Sequence, residues 1–505
     1  MSVPVVLLAG QSNAGRIGDT VAAALNAIYG PGGHVLVDVH AAGAPLTRDR
    51  PDLPDWFNRG ELPDQLTAAA IAALRQTAGS HVAGLIWVQG EGDTFGTARP
   101  DDYAPAFQAM WGDVLDGIDA ALPDRTPTDG AIAVISGLSA DAPQAATRGG
   151  WSTVIAAQDD LATAPDIVTV RPDDLAAAVG LSPAAMFADP LHYSESFGDL
   201  LAWQLVLRLA GLDQVPRLGT AGHDGLSASA GAEWFLPGDG QDTIRGGAPD
   251  LGHDIVAGFG AGDRIVLVDA EPTAMTVSAG GATIRLPDGP LTLQGDLGGG
   301  GVFCRFDGTD SLLGYLPDLP ALADGVALPP DRVAGITDTD MLTGDGSARF
   351  RVDLLDLGHA ALRNALGVYE VTDDGRITDL RMLFADAGNT RAGPVTVTGV
   401  EDGHRLGFFI LQDGAEWMAS QASADAFHFV TGDDGRMRLA AGREVAEMPV
   451  FHALDAALNP DGLQHVVSGH DGGGLAIGFE DLTGGGDRDF EDVVIRVTPS
   501  DAIFA

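Results

Sequence analysis

The chain reads as an α/β domain with a mainly parallel sheet, followed by two β-rich modules full of Gly and Asp. Three observations predict this. Up to about residue 212, short β-type runs alternate with Ala-rich segments of helical spacing. Beyond that point helical periodicity stops, and Gly and Asp punctuate short β-runs. The length of 505 residues is that of about two to four domains.

The first domain, 1–212, starts with the apolar run Val5 to Leu8 and continues with His34 to Val39, Val82 to Val88, Ala131 to Ile135 and Ile167 to Val170. Val and Ile dominate these runs, as fits strands buried on both faces. Thr20 to Tyr29, Leu66 to Gln76, Ala104 to Leu122 and Phe197 to Leu209 carry apolar residues at helical spacing. Alternation of this kind predicts helices covering both faces of the sheet. The last helix ends at Gly211, and the polar stretch through Gly225 reads as a linker. A second module spans 213–335. The third, 336–505, has turns such as Asp373-Asp374-Gly375 and Asp433-Asp434-Gly435.

Composition narrows the function. Seventy-one acidic residues face 28 basic ones, all of them arginine, for a net charge of −43. Phosphate backbones and anionic lipid would be repelled, which excludes a nucleic-acid or membrane-surface role. A hydrophobic fraction of 45% separates this acidity from that of a disordered tail. The absence of lysine reads as codon bias of a GC-rich genome. One cysteine, Cys304, excludes an intramolecular disulfide framework and a Cys-rich zinc site. No apolar run is long enough to span a bilayer. The opening MSVPVVLLAG lacks a basic n-region and leads straight into GQSN. Cleavage there would remove catalytic residues, so the chain is expected to be cytoplasmic or exported without an N-terminal signal peptide.

Three blocks carry chemistry. Gly10-Gln11-Ser12-Asn13 lies where a buried strand ends and a helix begins, so Ser12 sits on a tight turn beside helix N-terminal amides. Trp87-Val88-Gln89-Gly90-Glu91-Gly92-Asp93 ends another strand, with Trp87 read as core packing. Asp189-Pro190-Leu191-His192 precedes the last helix, and an Asp three residues before a His can orient its ring from the same loop. All three fall at the sheet end where open α/β folds bind ligands.

In this order the blocks resemble those of SGNH hydrolases, in particular the sialate O-acetylesterase and acetylxylan esterase branch. The resemblance covers residues 1–212. It implies a flavodoxin-like three-layer α/β/α fold and hydrolysis of short acyl esters, usually acetate on a carbohydrate, with no cofactor for catalysis. It further implies Ser12 as nucleophile, His192 as general base and then acid, and Asp189 as the residue holding His192. The backbone N–H groups of Ser12 and Gly43 and the side chain of Gln89 would form the oxyanion hole. Gln11, Asn13, Glu91 and Asp93 would brace the loops or touch substrate. The chain departs from the family in carrying Ala14 where a bulky residue is common.

Gly238 to Ile244 and Gly246 to Ile255 read as degenerate Gly/Asp nonapeptide repeats, with Asp239, Asp242, Asp250 and Asp254 as hard oxygen ligands for Ca²⁺. With Phe259 to Ile265 they resemble RTX (hemolysin-type) calcium-binding β-rolls. At Gly478 to Leu482 and Gly484 to Asp492 carboxylates crowd a Gly-rich loop, and Asp481, Asp487, Asp489 and Asp492 are the expected ligands. Residues 345–498 resemble a C-terminal domain of unassigned function found in bacterial calcium-dependent exoproteins. These likenesses imply a secreted protein that uses type I secretion machinery, with Ser500 to Ala505 compatible with an uncleaved C-terminal signal. The reading is a secreted, calcium-stabilised serine esterase acting on an acetylated carbohydrate. The competing class is an extracellular calcium-binding surface or matrix protein with a non-catalytic SGNH-like domain. A third is a cytoplasmic acyl hydrolase with acidic appendages.

Overall fold

A computed structural model of the chain describes residues 2–30, 32–50, 53–57, 61–278, 281–294, 300–355, 361–388, 392–421 and 426–504. The chain falls into two compact units, Met1–Leu218 with Ala232–Phe235, and Gly219–Gly231 with Leu236–Ala505.

The first unit is built on five parallel strands, β1 (Pro4–Gly10), β2 (Val35–His40), β3 (His81–Val88), β4 (Ile132–Ser136) and β5 (Ile167–Val170), in the order β2-β1-β3-β4-β5. Its helices are α1 (Ser12–Tyr29), α2 (Glu61–Gln76), α3 (Tyr103–Ala121), α4 (Trp151–Leu161), α5 (Pro172–Ala178) and α6 (Glu195–Leu209). Every residue of β1 is buried. Its side chains alternate: Val5, Leu7 and Ala9 join the core beneath α2, α3 and α4, while Leu8 turns to the opposite face against Gly18 of α1. That explains the unbroken apolar run read from the sequence.

Two helices were not legible. The segments of α4 and α5 are short, and α4 buries only Trp151, Val154, Gln158 and Leu161. The stretch expected to be a plain linker also has structure. Val215–Leu218 is a strand, and Trp234, 2% exposed, lies 6.2 Å from Trp203 of α6. Burying this indole ties residues 232–235 to the first unit.

The second unit is strand-rich. Strands Gly225–Ser227, Thr243–Gly247 and Arg264–Val268 stack in parallel as successive rungs. Further on, two antiparallel sheets share one core, with Phe350, Val352, Ile477 and Ile495 meeting Leu366, Val368, Phe408 and Ile410. Strand Gly301–Phe306 pairs with Ser311–Leu316 on one side and Ala502–Phe504 on the other. The chain end, compatible with a secretion signal by sequence, is therefore an edge strand here. No helix among the described residues is long and apolar enough to cross a membrane.

Candidate active site and acidic clusters

The turn between β1 and α1 is set by Gly10. Its φ is +146°, and a Cβ there would lie 2.0 Å from the Val88 carbonyl oxygen, so only glycine lets β1 run this close to β3. Gln11 N–H then donates to that same carbonyl at 2.9 Å, and Ser12 becomes the first residue of α1. The first N–H groups of a helix have no partner within it, so Ser12 carries a backbone donor beside its own hydroxyl.

His192 reaches Ser12 from the loop before α6. Its Nε2 lies 3.0 Å from Ser12 Oγ, and its Nδ1 lies 2.7 Å from Asp189 Oδ2. Asp189 Oδ1 accepts the backbone N–H groups of Leu191 and His192, each at 2.8 Å. These His192 bonds, with the Leu191 N–H, hold the Asp189 carboxyl well below the usual carboxylate range. The Asp-x-x-His spacing works because one carboxylate closes its own turn and grips the ring with its second oxygen.

The QGExD block braces this arrangement. Glu91, 7% exposed, accepts from Gln11 Nε2 through one oxygen and from Asn13 Nδ2 at 2.8 Å through the other, gripping the residues on either side of Ser12. Burial raises its pKa, and the two amide donors oppose that only in part. Asn13 also bonds Leu191 O at 3.5 Å and takes the Tyr193 N–H at 3.4 Å, tying the histidine loop to α1. Asp93, fully buried, accepts the Leu46 and Thr47 N–H groups and the Thr47 hydroxyl.

Gln89 differs from its expected oxyanion role. Its amide donates to Ala44 O at 3.1 Å and to Asp93 Oδ2, so both hydrogens are committed to bracing. Gly43 stands in the adjoining turn with φ +66°, and Arg50 Nη1 donates to its neighbour Ala42 O at 3.1 Å. Trp87 is core: it meets Trp56 edge-on at 4.9 Å and donates to Tyr103 Oη at 3.1 Å.

In the second unit three groups of carboxylates have oxygens within 4.8 Å of one another: Asp324, Asp489 and Glu491; Glu480, Asp481 and Asp492; and Glu480, Asp487 and Asp489. The four C-terminal aspartates singled out by sequence fall into two of these groups, Asp481 with Asp492 and Asp487 with Asp489, which share Glu480. Sequence reasoning missed Glu480, Glu491 and Asp324 as partners, the last from a loop some 165 positions away, which no local motif could reveal. Burial first, then neighbouring carboxylates, pushes Glu480 up to about 7 and Asp492 up to about 8. Gly486 allows the loop to wrap this closely, since a Cβ there would lie 2.1 Å from Glu480 Oε1. An all-oxygen, anionic donor set of this kind fits Ca²⁺ better than a soft metal.

Asp239, Asp242, Asp250 and Asp254 are not members of these groups. Asp242 belongs instead to a ladder along the parallel rungs. The Asp224 N–H donates to Asp242 Oδ1 at 2.8 Å, and the Asp242 N–H donates to Asp263 Oδ1 at 3.0 Å. Asp242 Oδ2 is buried without a partner among the described residues. Asp250 accepts the Gly247 N–H, Asp254 is fully buried, and Asp239 is exposed. The signal for the ladder was present: Asp224, Asp242 and Asp263 each stand directly before a β-run.

A family model described as a domain of unknown function (DUF4114) matches residues 400–500. No curated protein matches the sequence. Among solved structures, that of NanS is 13% identical and covers 42% of this chain and 97% of its own, with a TM-score of 0.32. A carbohydrate acetylesterase family member from Sinorhizobium meliloti is 13% identical over 42% of this chain and 100% of its own, with a TM-score of 0.23. A novel carbohydrate acetylesterase from Xanthomonas citri is 12% identical over 80% of this chain and 74% of its own, with a TM-score of 0.24.

Proposed function

We propose that the first unit is a serine esterase that removes short acyl groups, acetate foremost, from an acetylated carbohydrate. The observation that carries this reading is the continuous Ser12–His192–Asp189 relay, at 3.0 Å and 2.7 Å. The strand order, with the site at the carboxyl ends of the strands, supports the flavodoxin-like three-layer description.

In the reaction, Ser12 Oγ attacks the acyl carbon while its proton passes to His192 Nε2. Asp189 holds Nδ1–H, fixes the tautomer and stabilises the imidazolium. The developing oxyanion is held by the Ser12 N–H, with the Gly43 N–H as the second proposed donor. His192 then gives its proton to the departing sugar hydroxyl. Water, deprotonated by the same nitrogen, attacks the acyl-enzyme, releasing the carboxylic acid and restoring Ser12. Aryl acetate hydrolysis tests the reading: Ser12→Ala is expected to lose on the order of 10⁶ in turnover. Wild-type turnover by that variant would refute it.

The second unit is proposed to hold structural Ca²⁺ through Glu480, Asp481, Asp487, Asp489 and Asp492, which would offset the repulsion among these carboxylates. The other expected set, Asp239, Asp242, Asp250 and Asp254, is supported by the free Asp242 Oδ2 alone. Secretion by a type I route is proposed with it, since ions of millimolar extracellular concentration would then complete folding outside the cell. Chelation should lower the melting temperature and Ca²⁺ should restore it; an unmoved melt removes the metal from the account.

A further inference from the structure

The turn that carries Gly43 is held at both shoulders. On one side the Ala41 N–H donates at 3.2 Å to the carbonyl of Gly10, two residues before Ser12. On the other, Gln89 Nε2 donates to Ala44 O at 3.1 Å, and Asp93 accepts the Leu46 and Thr47 N–H groups at 2.9 and 2.8 Å. Across the gap the Ala44 N–H closes on Ala41 O at 3.1 Å. Gly92 brings the turn against the neighbour of the nucleophile. A Cβ there would lie 2.5 Å from Gln11 Oε1 and 3.2 Å from Gly43 O, so both meet at one glycine. Burial follows the anchoring: Ala44 to Thr47 are buried, whereas Ala42 and Gly43 at the tip are exposed.

Fixed shoulders leave one choice open at the tip. Gly43 has φ +66° and Ala42 does not share the positive sign, the pattern of a type II turn. Type I and type II turns differ by a half-rotation of the central peptide, here the Ala42–Gly43 unit. That unit is planar, so the Ala42 C=O and the Gly43 N–H point in opposite directions and rotate together. Whatever holds the carbonyl therefore aims the N–H. Arg50 Nη1 holds it, at 3.1 Å, and stands 3.7 Å from where a Gly43 Cβ would lie. Arg50 is pinned in turn: its N–H donates to Oδ2 of the buried Asp55 at 2.6 Å, and Asp55 Oδ1 accepts the Phe57 N–H at 3.1 Å. We infer that Arg50 is a positioning residue for acyl transfer: by holding Ala42 O it aims the Gly43 N–H at the developing oxyanion, and its charge polarises the peptide so that this N–H donates more strongly. The inference rests on the esterase reading above, with Gly43 as the second oxyanion donor. In this role Arg50 touches no reacting atom. Its effect belongs to the tetrahedral state, when charge sits on the oxygen, and not to binding of the neutral ester.

Two readouts on the full chain test this: steady-state hydrolysis of an aryl acetate, and inhibition by phenylboronic acid, whose tetrahedral adduct with Ser12 puts an oxygen where the oxyanion forms. Arg50→Met keeps the stem and loses the donors. Its kcat is expected to fall about 10- to 100-fold with KM within about twofold of wild type, and the boronate inhibition constant should rise with that fall. Arg50→Gln, which keeps a neutral donor, should lie between the two in both readouts. An Arg50→Met protein with kcat within about twofold of wild type overturns the inference. So does a change in KM alone, which would make Arg50 a contact of the bound ester, and so does a loss of kcat with boronate affinity unchanged. Should circular dichroism show Arg50→Met unfolded, Arg50→Gln decides: parallel losses support the inference and wild-type values overturn it. A wild-type protein inert toward the aryl acetate, or a Ser12→Ala variant as active as wild type, would instead bring down the esterase reading.

Discussion

Replacing Asp189 with asparagine separates what its carboxylate does for chemistry from what it does for structure. The retained Oδ1 can still accept the Leu191 and His192 N–H groups, now at 2.8 Å each, so the loop keeps its turn. The new amide nitrogen takes the place of Oδ2, which stands 2.7 Å from His192 Nδ1. A donor then faces a donor. The ring escapes by moving its proton to Nε2, the atom 3.0 Å from Ser12 Oγ, and the base becomes unable to accept the serine proton. The expected loss is about 10⁴ in kcat, or ~5 kcal/mol of transition-state stabilisation. The melting temperature should stay within about 2 °C of wild type, because the turn's two bonds survive. Steady-state hydrolysis of an aryl acetate, with thermal melts alongside, makes the measurement. An Asp189→Asn variant retaining more than about a tenth of wild-type kcat would refute the reasoning.

Glu91 and Gly10 yield the remaining predictions. Burial lifts the folded pKa of Glu91 above its ordinary 4.5, so its contribution to stability is complete below that value and is lost as pH rises through the folded one. Thermal melts between pH 4 and 8 should therefore show Glu91→Gln gaining on wild type as pH rises, and a pH-independent difference would contradict this. Gly10→Ala forces a methyl to within 2.0 Å of Val88 O at a φ of +146°, and the cost should exceed about 3 kcal/mol, leaving little soluble folded protein by circular dichroism. For Asp189, held low by its bonds, the stabilisation is present above about 3.8 and lost only as pH falls through the lower folded value.

The Ser12–His192–Asp189 relay was legible because each piece is local. A strand ending in Gly10, a serine at the next helix start and an Asp189–His192 turn each write their geometry into a few adjacent residues. What escaped was whatever depends on distant partners. Gln89 reads as a free amide in sequence, yet two acceptors claim it, Ala44 O from a loop 45 positions away and Asp93. Asp324 joins the 480–492 carboxylates only because Gly325 N–H docks on Asp489 Oδ2 at 2.8 Å. Asp242 reads as a metal ligand by its Gly-rich setting, and what the sequence did not show is that the Asp224 N–H of the preceding rung claims one of its two oxygens. Charge reading misled in a milder way. A strongly acidic total hid a small cationic group, Arg48 and Arg148 at the Phe95 ring, since a sum carries no information about position.

The strand Ala502–Phe504 has a consequence in time. Arg305 Nη2 meets Asp501 Oδ2 at 2.6 Å across 196 positions of sequence, beside the pairing of that strand with Gly301–Phe306. At ribosomal speeds of about 5–20 residues per second, the earlier strand waits roughly 10 to 40 s for its partner. Through that interval Phe303 and Cys304 lie along an open sheet edge, the kind of template that recruits other chains. Yield during expression would then depend on synthesis rate and on holding factors that shield the edge, independently of how stable the finished protein is.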